Sequence, residues 1–140
     1  MLLKSARVVV DKNLIKIKTG DDSVVYETDI NSFEENSGVT IHNIILQELE
    51  AYYISLKSIS DTFGCGNIFD NLALQIDNEY QNVLLIIDFD GVEEIVDSFF
   101  ESYTKFLLKT SNKVITINMN TGITNQFGNF IKQNILEVQE

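Results

Sequence analysis

The sequence predicts an α/β fold, a mixed sheet with helices packed on it, and three observations predict it. Val83-Leu84-Leu85-Ile86-Ile87 is an unbroken apolar run that ends at Asp88, the pattern of a strand covered on both faces. Across the last two-thirds of the chain, segments with helical spacing alternate with short apolar runs, which implies a parallel or mixed sheet. The first third instead shows extended patterns broken by turn chemistry.

The elements follow in order. Arg7-Val8-Val9-Val10 is a β-branched run, Leu14 to Lys18 is a second extended segment, and Ser23 to Thr28 is a third. Thr19-Gly20-Asp21-Asp22 supplies a turn, so the segments read as a hairpin or a three-stranded meander. Asn31 to Gly38 is polar and reads as a loop. From Thr40, a candidate N-cap, Ile41, Ile44, Ile45, Leu49, Tyr52 and Tyr53 share one helical face, so a helix is expected over 40–53. Ser55 to Ile59 reads as a strand, Asn67 to Glu79 as a helix and Val83 to Phe89 as a strand. Asp97 to Lys109 is expected to be helical, Val114 to Met119 extended and Ile123 to Ile135 helical. The division expected is an N-terminal β-hairpin extension over 1–36 and an α/β unit over 37–140, with the helix 40–53 at the junction.

Composition narrows the function classes. With 44% hydrophobic residues the chain can bury a core, and its single cysteine, Cys65, allows no internal disulfide. The longest apolar run is far short of the about 20 residues that span a bilayer. A cytoplasmic location is expected. Net charge is -11, and Lys57 is the only Lys or Arg between Thr19 and Thr104. Nucleic acid and anionic membranes are bound through clustered Lys and Arg, so neither is an expected partner. A basic protein surface is. One histidine, His42, and one cysteine argue against a structural zinc site, and no cofactor is expected. Gly64-Cys65-Gly66-Asn67 lacks the lysine of a phosphate-binding loop and reads as a tight turn.

The run Asp88-Phe89-Asp90-Gly91-Val92 followed by Asp97-Ser98-Phe99-Phe100-Glu101 carries the functional signal. A strand ending in Asp-x-Asp-Gly-Val resembles the first motif of haloacid dehalogenase phosphohydrolases, which would make Asp88 a nucleophile and Asp90 an acid beside Mg²⁺. That chemistry needs a further acidic pair on later strands. Beyond Glu101 the only acids are Glu137 and Glu140.

The same residues resemble the STAS domains of bacterial anti-sigma factor antagonists. There a hydrophobic strand ends in Asp-x-x-Gly-Val and a helix opens with Asp-Ser-Ser-Gly. Asp88, Gly91, Val92, Asp97 and Ser98 match, while Phe99-Phe100 replaces Ser-Gly. Asp-Phe-x-Gly-Val with Ser-Phe-Phe-Glu is similar to a STAS-like branch of that fold, and Thr62-Phe63-Gly64, Gly66 and Phe69 resemble its weaker first motif. The resemblance covers roughly 55–135. It implies a non-enzymatic regulatory module that binds a kinase-like ATPase or sigma-regulatory protein, with Ser98 at the position phosphorylated in the antagonists. Asp88, Asp90, Gly91, Asp97, Ser98, Phe99, Phe100 and Glu101 are therefore the candidate interaction residues. Capping by Ser98, or by Asp97 with Ser98 in the first turn, by itself accounts for Asp-Ser at this position and is the favoured role of Ser98. Phe99, Tyr103, Phe106 and Leu107 form a core stripe, and Phe100 lies off it as the expected partner contact. The alternative is an acidic inhibitor that mimics nucleic acid. An oligomer is compatible with either.

Overall fold

Period-two burial organises the chain from its first strand. In β1 (Lys4–Asp11), Ala6, Val8 and Val10 are buried while their neighbours are not. The computed structural model describes residues 3–37, 48–59, 62–63 and 66–139. β1 continues into β2 (Leu14–Thr19) and β3 (Val24–Asp29), an antiparallel meander in which Val8 faces Ile17 and Ile17 faces Tyr26. Then come α1 (Ile30–Ser37), β4 (Glu48–Ser55), a 3-10 turn (Leu56–Ser58) and β5 (Thr62–Phe63). The remainder is α2 (Gly66–Glu79), β6 (Leu84–Asp88), β7 (Glu94–Ile95), α3 (Asp97–Lys109), β8 (Lys113–Ile117) and α4 (Thr121–Gln139).

Six strands form one mixed sheet in the order β3-β2-β1-β4-β6-β8, and β5 pairs with β7 beside it. The meander is hydrogen-bonded into the same sheet, because β1 runs antiparallel to β4 with Lys4 opposite Tyr53. β4, β6 and β8 are parallel, joined by crossovers through α2 and α3. The α/β class expected from the sequence is the class observed.

β6, the middle parallel strand, is buried on both faces, whereas β8 buries only Ile115 and Ile117 on one. One face carries Ile54, Leu85 and Ile87 against Phe69, Leu72 and Ile76 of α2 and Phe99, Tyr103 and Phe106 of α3. Phe69 meets Phe99, Tyr103 and Phe106 edge-on at 5.2, 5.1 and 5.6 Å, the geometry that aromatic quadrupoles favour. The other face carries Tyr53, Ile86, Ile115 and Ile117 against Val8, Val10, Ile15, Ile17 and Phe33. Residues of β1, β2, α1 and β8 share this second core because the sheet curls until α1 lies against β8. The Asn118 side-chain amide donates to the Val25 carbonyl at 3.1 Å and ties the two ends of the curl together.

Three local expectations are corrected. Residues 48–53 are strand, not the end of a helix 40–53; residues 40–47 lie outside the described residues. Leu49, Tyr52 and Tyr53 fit a helical period, and pairing with β1 and β6 on both sides decides for the strand. The strand expected over 55–59 is cut short by the turn at Leu56, whose fully buried side chain ends β4. Residues 31–37 are helical. The Asp29 carboxylate accepts from the Ser32 N–H at 2.8 Å and its hydroxyl at 3.0 Å, an N-cap arrangement, and Phe33 anchors the helix in the second core. Among the described residues, no helix is long and apolar enough to cross a membrane.

Candidate functional site

β6 and the turn after it build the first part of the site. The alternation along β6 sends Asp88 to the same face as Ile86, toward the second core, where it is 3% exposed. Its Oδ1 accepts the Asp90 N–H at 2.9 Å and the Asn118 Nδ2–H at 3.0 Å. Its Oδ2 accepts the Tyr53 hydroxyl at 2.5 Å. Burial, then the bond to Asp88, pushes the Tyr53 phenol above its ordinary range, so it is held as the donor.

The Asp88–Asp90 bond starts a turn closed by the Val92 N–H on the Phe89 carbonyl at 3.0 Å. Gly91 within it has φ +83°, and a Cβ there would run into the Lys57 side chain. Lys57, the one Lys or Arg of the central stretch, thus lies across the Asp-x-x-Gly turn. Asp90 and Gly91 are exposed.

Three hydrogen bonds thus hold the Asp88 carboxylate in place. Both oxygens already accept hydrogen bonds, and the side chain is enclosed. Among the described residues, no group of three or more His, Cys, Asp or Glu could hold a metal ion.

The second part is the start of α3. β7 pairs with β5 and leads into the helix, and the Gln126 side-chain amide of α4 donates to the Ile95 carbonyl at 2.8 Å. The N-cap is Val96, in extended conformation at φ -102° and ψ 163° with no side-chain cap bond. The Phe99 N–H reaches the Val96 carbonyl at 3.0 Å. Capping by Asp97 or Ser98 is therefore corrected: both are exposed residues of the first helical turn. Glu93, Glu94 and Glu101 are exposed around them, and Val96 is 39% exposed in their midst.

Phe99 and Phe100 are both 0% exposed. Phe100 was the expected partner contact, and this too is corrected. It packs on Phe127 and Phe130 of α4 at ring distances of 4.9 and 6.0 Å. Periodicity within α3 shows only the face that meets the sheet and α2, while α4 covers a second flank. Leu107 of the expected core stripe is instead partly exposed.

The residues singled out from sequence thus fall into two groups. Asp88, Phe99 and Phe100 are interior; Asp90, Gly91, Asp97, Ser98 and Glu101 are exposed. Tyr53 and Asn118 were missed, since nothing local marks residues that reach Asp88 from positions 35 before and 30 after it. Lys57 was visible as a lone cation but not as a neighbour of Gly91. His42, Gly64 and Cys65 lie outside the described residues.

Fold and site together define a mixed α/β protein with a buried carboxylate that accepts three hydrogen bonds and, separately, an exposed acidic helix start. No protein-family model matches the chain, and no curated protein or solved structure is significantly similar to it.

Proposed function

We propose that the protein is a non-enzymatic interaction module of STAS-like type that binds a protein partner through the start of α3. The observation that carries this reading is the division of the motif. Asp88, which hydrolysis would need exposed, is enclosed and accepts three hydrogen bonds. The residues left at the surface are Val96 with Glu93, Glu94, Asp97, Ser98 and Glu101. An exposed apolar side chain with acids close to it in sequence suits a basic partner surface with an apolar socket. The resemblance of the Asp-x-x-Gly-Val and Asp-Ser motifs to STAS domains makes a kinase-like ATPase the partner class to test first.

The test is capture of candidate ATPases by the immobilised chain, compared with a variant carrying Glu93→Lys, Glu94→Lys and Asp97→Lys. Binding that weakens with salt and disappears in the charge-reversed variant supports the reading. Equal binding by both proteins overturns it. Mg²⁺-dependent hydrolysis of a phosphate ester, lost in Asp88→Asn, would instead restore the phosphohydrolase reading.

The long stretch with Lys57 as its only Lys or Arg also favours a second reading, an acidic mimic that occupies a nucleic-acid-binding groove. Competition with DNA for a captured partner separates the two.

A further inference from the structure

Among the described residues, β8 is an outer strand of the six-stranded sheet and pairs with β6 alone. The Lys113 N–H donates to the Val83 carbonyl at 3.0 Å, and the Ile117 carbonyl accepts the Phe89 N–H at 3.0 Å. Strand residues alternate in the direction of their peptide groups, so the N–H and C=O of Val114 and Thr116 point away from β6. Sheet edges of this kind are usually blunted by charge, proline or a bulge. Here only Lys113, at the first position, carries charge within the strand.

A groove of about 620 Å³ runs along this edge, between Tyr26 of β3 and Leu107 of α3, with Met119 and Thr124 beyond the strand end. Leu107, Thr116, Met119 and Thr124 also line a second hollow of about 310 Å³, walled further by Tyr103 and Phe127. Among the described residues, none that lines either hollow is charged, in a chain whose charged residues make up 22% of the total.

We propose that this edge accepts a short, uncharged, extended segment of a partner protein as an added strand. The outward peptide groups of Val114 and Thr116 ask for a backbone, which a small apolar molecule cannot supply. A strand sends alternate side chains to opposite sides, and the edge has a hollow toward Tyr103 and Phe127 and a wall at Tyr26. A charged side chain would be desolvated there without a counter-charge, which sets the neutral chemistry of the occupant. The recess between Tyr26 and Leu107 suits one strand better than the equally recessed edge of a second copy. This surface is separate from the acidic start of α3, and the inference stands independently of that reading.

The test is selection of random heptapeptides displayed on phage against the immobilised full chain. Enriched sequences are then synthesised with and without N-methylation at alternate residues, and binding is followed by fluorescence anisotropy and by the backbone amide signals of Val114 and Thr116. Neutral sequences with β-branched or aromatic residues at alternate positions are expected, with shifts at both amides. N-methylation in one of the two registers should weaken binding at least tenfold. Leu107→Arg should do the same. Gly128→Phe gives a second variant, because a Cβ at Gly128 has nothing within 4 Å and the new ring would fill the hollow rather than the core. Three results would each overturn the proposal. One is equal binding by the peptides N-methylated in either register, which marks a simple apolar pocket. Another is concentration-dependent dimerisation that itself shifts the two amides, which marks a second copy as the occupant. The last is an absence of peptides sensitive to Leu107→Arg and Gly128→Phe.

Discussion

The Tyr53 hydroxyl donates to Asp88 Oδ2 across the β4–β6 ladder at 2.5 Å, and Asn118 donates to the other oxygen from the end of β8. One carboxylate therefore joins the ends of all three parallel strands. Asp88→Ala would leave three donors, the Tyr53 hydroxyl, the Asn118 amide and the Asp90 N–H, without this acceptor. A loss of about 3 kcal/mol in urea unfolding is expected, and about 2 kcal/mol for Tyr53→Phe. The double variant should cost less than the two single losses together, with a coupling of at least about 1 kcal/mol. Strict additivity would show that the two groups do not act on one another.

Alkaline titration probes the same bond. Burial raises the phenol of Tyr53, with Asp88 adding to the effect, and burial raises that of Tyr103 while its Thr116 partner opposes. A raised folded-state value means that the native protein holds these protons more tightly than the unfolded chain. The stabilisation is complete below the ordinary phenol range, near pH 10, and is lost as pH rises above it. Tyrosinate absorbance should therefore show a delayed component that diminishes in Tyr53→Phe and Tyr103→Phe. An unchanged titration curve in both variants would contradict the assignment.

Acid acts on a different part of the fold. The Thr19 hydroxyl, then the Ser23 N–H, holds the Asp21 carboxyl down at about 2. Its contribution is present above the ordinary carboxylate range and is lost as pH falls toward 2. Asp21→Asn should flatten the dependence of unfolding on pH between 4 and 2 by a small amount, because the group is fully exposed.

Phe100 and Leu108 separate core from surface within one helix. Phe100→Ala should cost about 3–5 kcal/mol, the usual range for emptying a buried ring site. Leu108 is 82% exposed, and Leu108→Ala should stay within about 0.5 kcal/mol. Thermal melts of both variants test this directly. A small loss for Phe100→Ala would mean that α4 does not hold the ring in solution.

Gly91→Ala tests whether the backbone or the lysine sets the turn. The φ of +83° costs a residue with a Cβ about 1–2 kcal/mol, whereas the Lys57 chain can swing aside. The loss should persist when Lys57→Ala is added. Full rescue by Lys57→Ala would make the steric contact the determinant.

What the sequence by itself determined is local. The apolar run at 83–87 announced a strand covered on both faces, and the helical spacing from Asp97 placed α3 at Asp97–Lys109. The Asp-x-x-Gly-Val pattern marked a strand end, and β6 ends at Asp88. Each follows from steric preferences and periods that act within a few residues. The tertiary structure decided the rest. Residues 48–53 satisfied a helical period, yet hydrogen bonding to β1 and β6 made them strand. Phe100 lay off the apolar stripe of its own helix, yet α4 covers it. Asp88 stands among the interaction candidates of the motif, yet Tyr53 and Asn118 close around it and keep it in the interior. In each case the deciding partner lies far along the chain, where no local period can reveal it, and only the curl of the sheet and the packing of α4 bring it near.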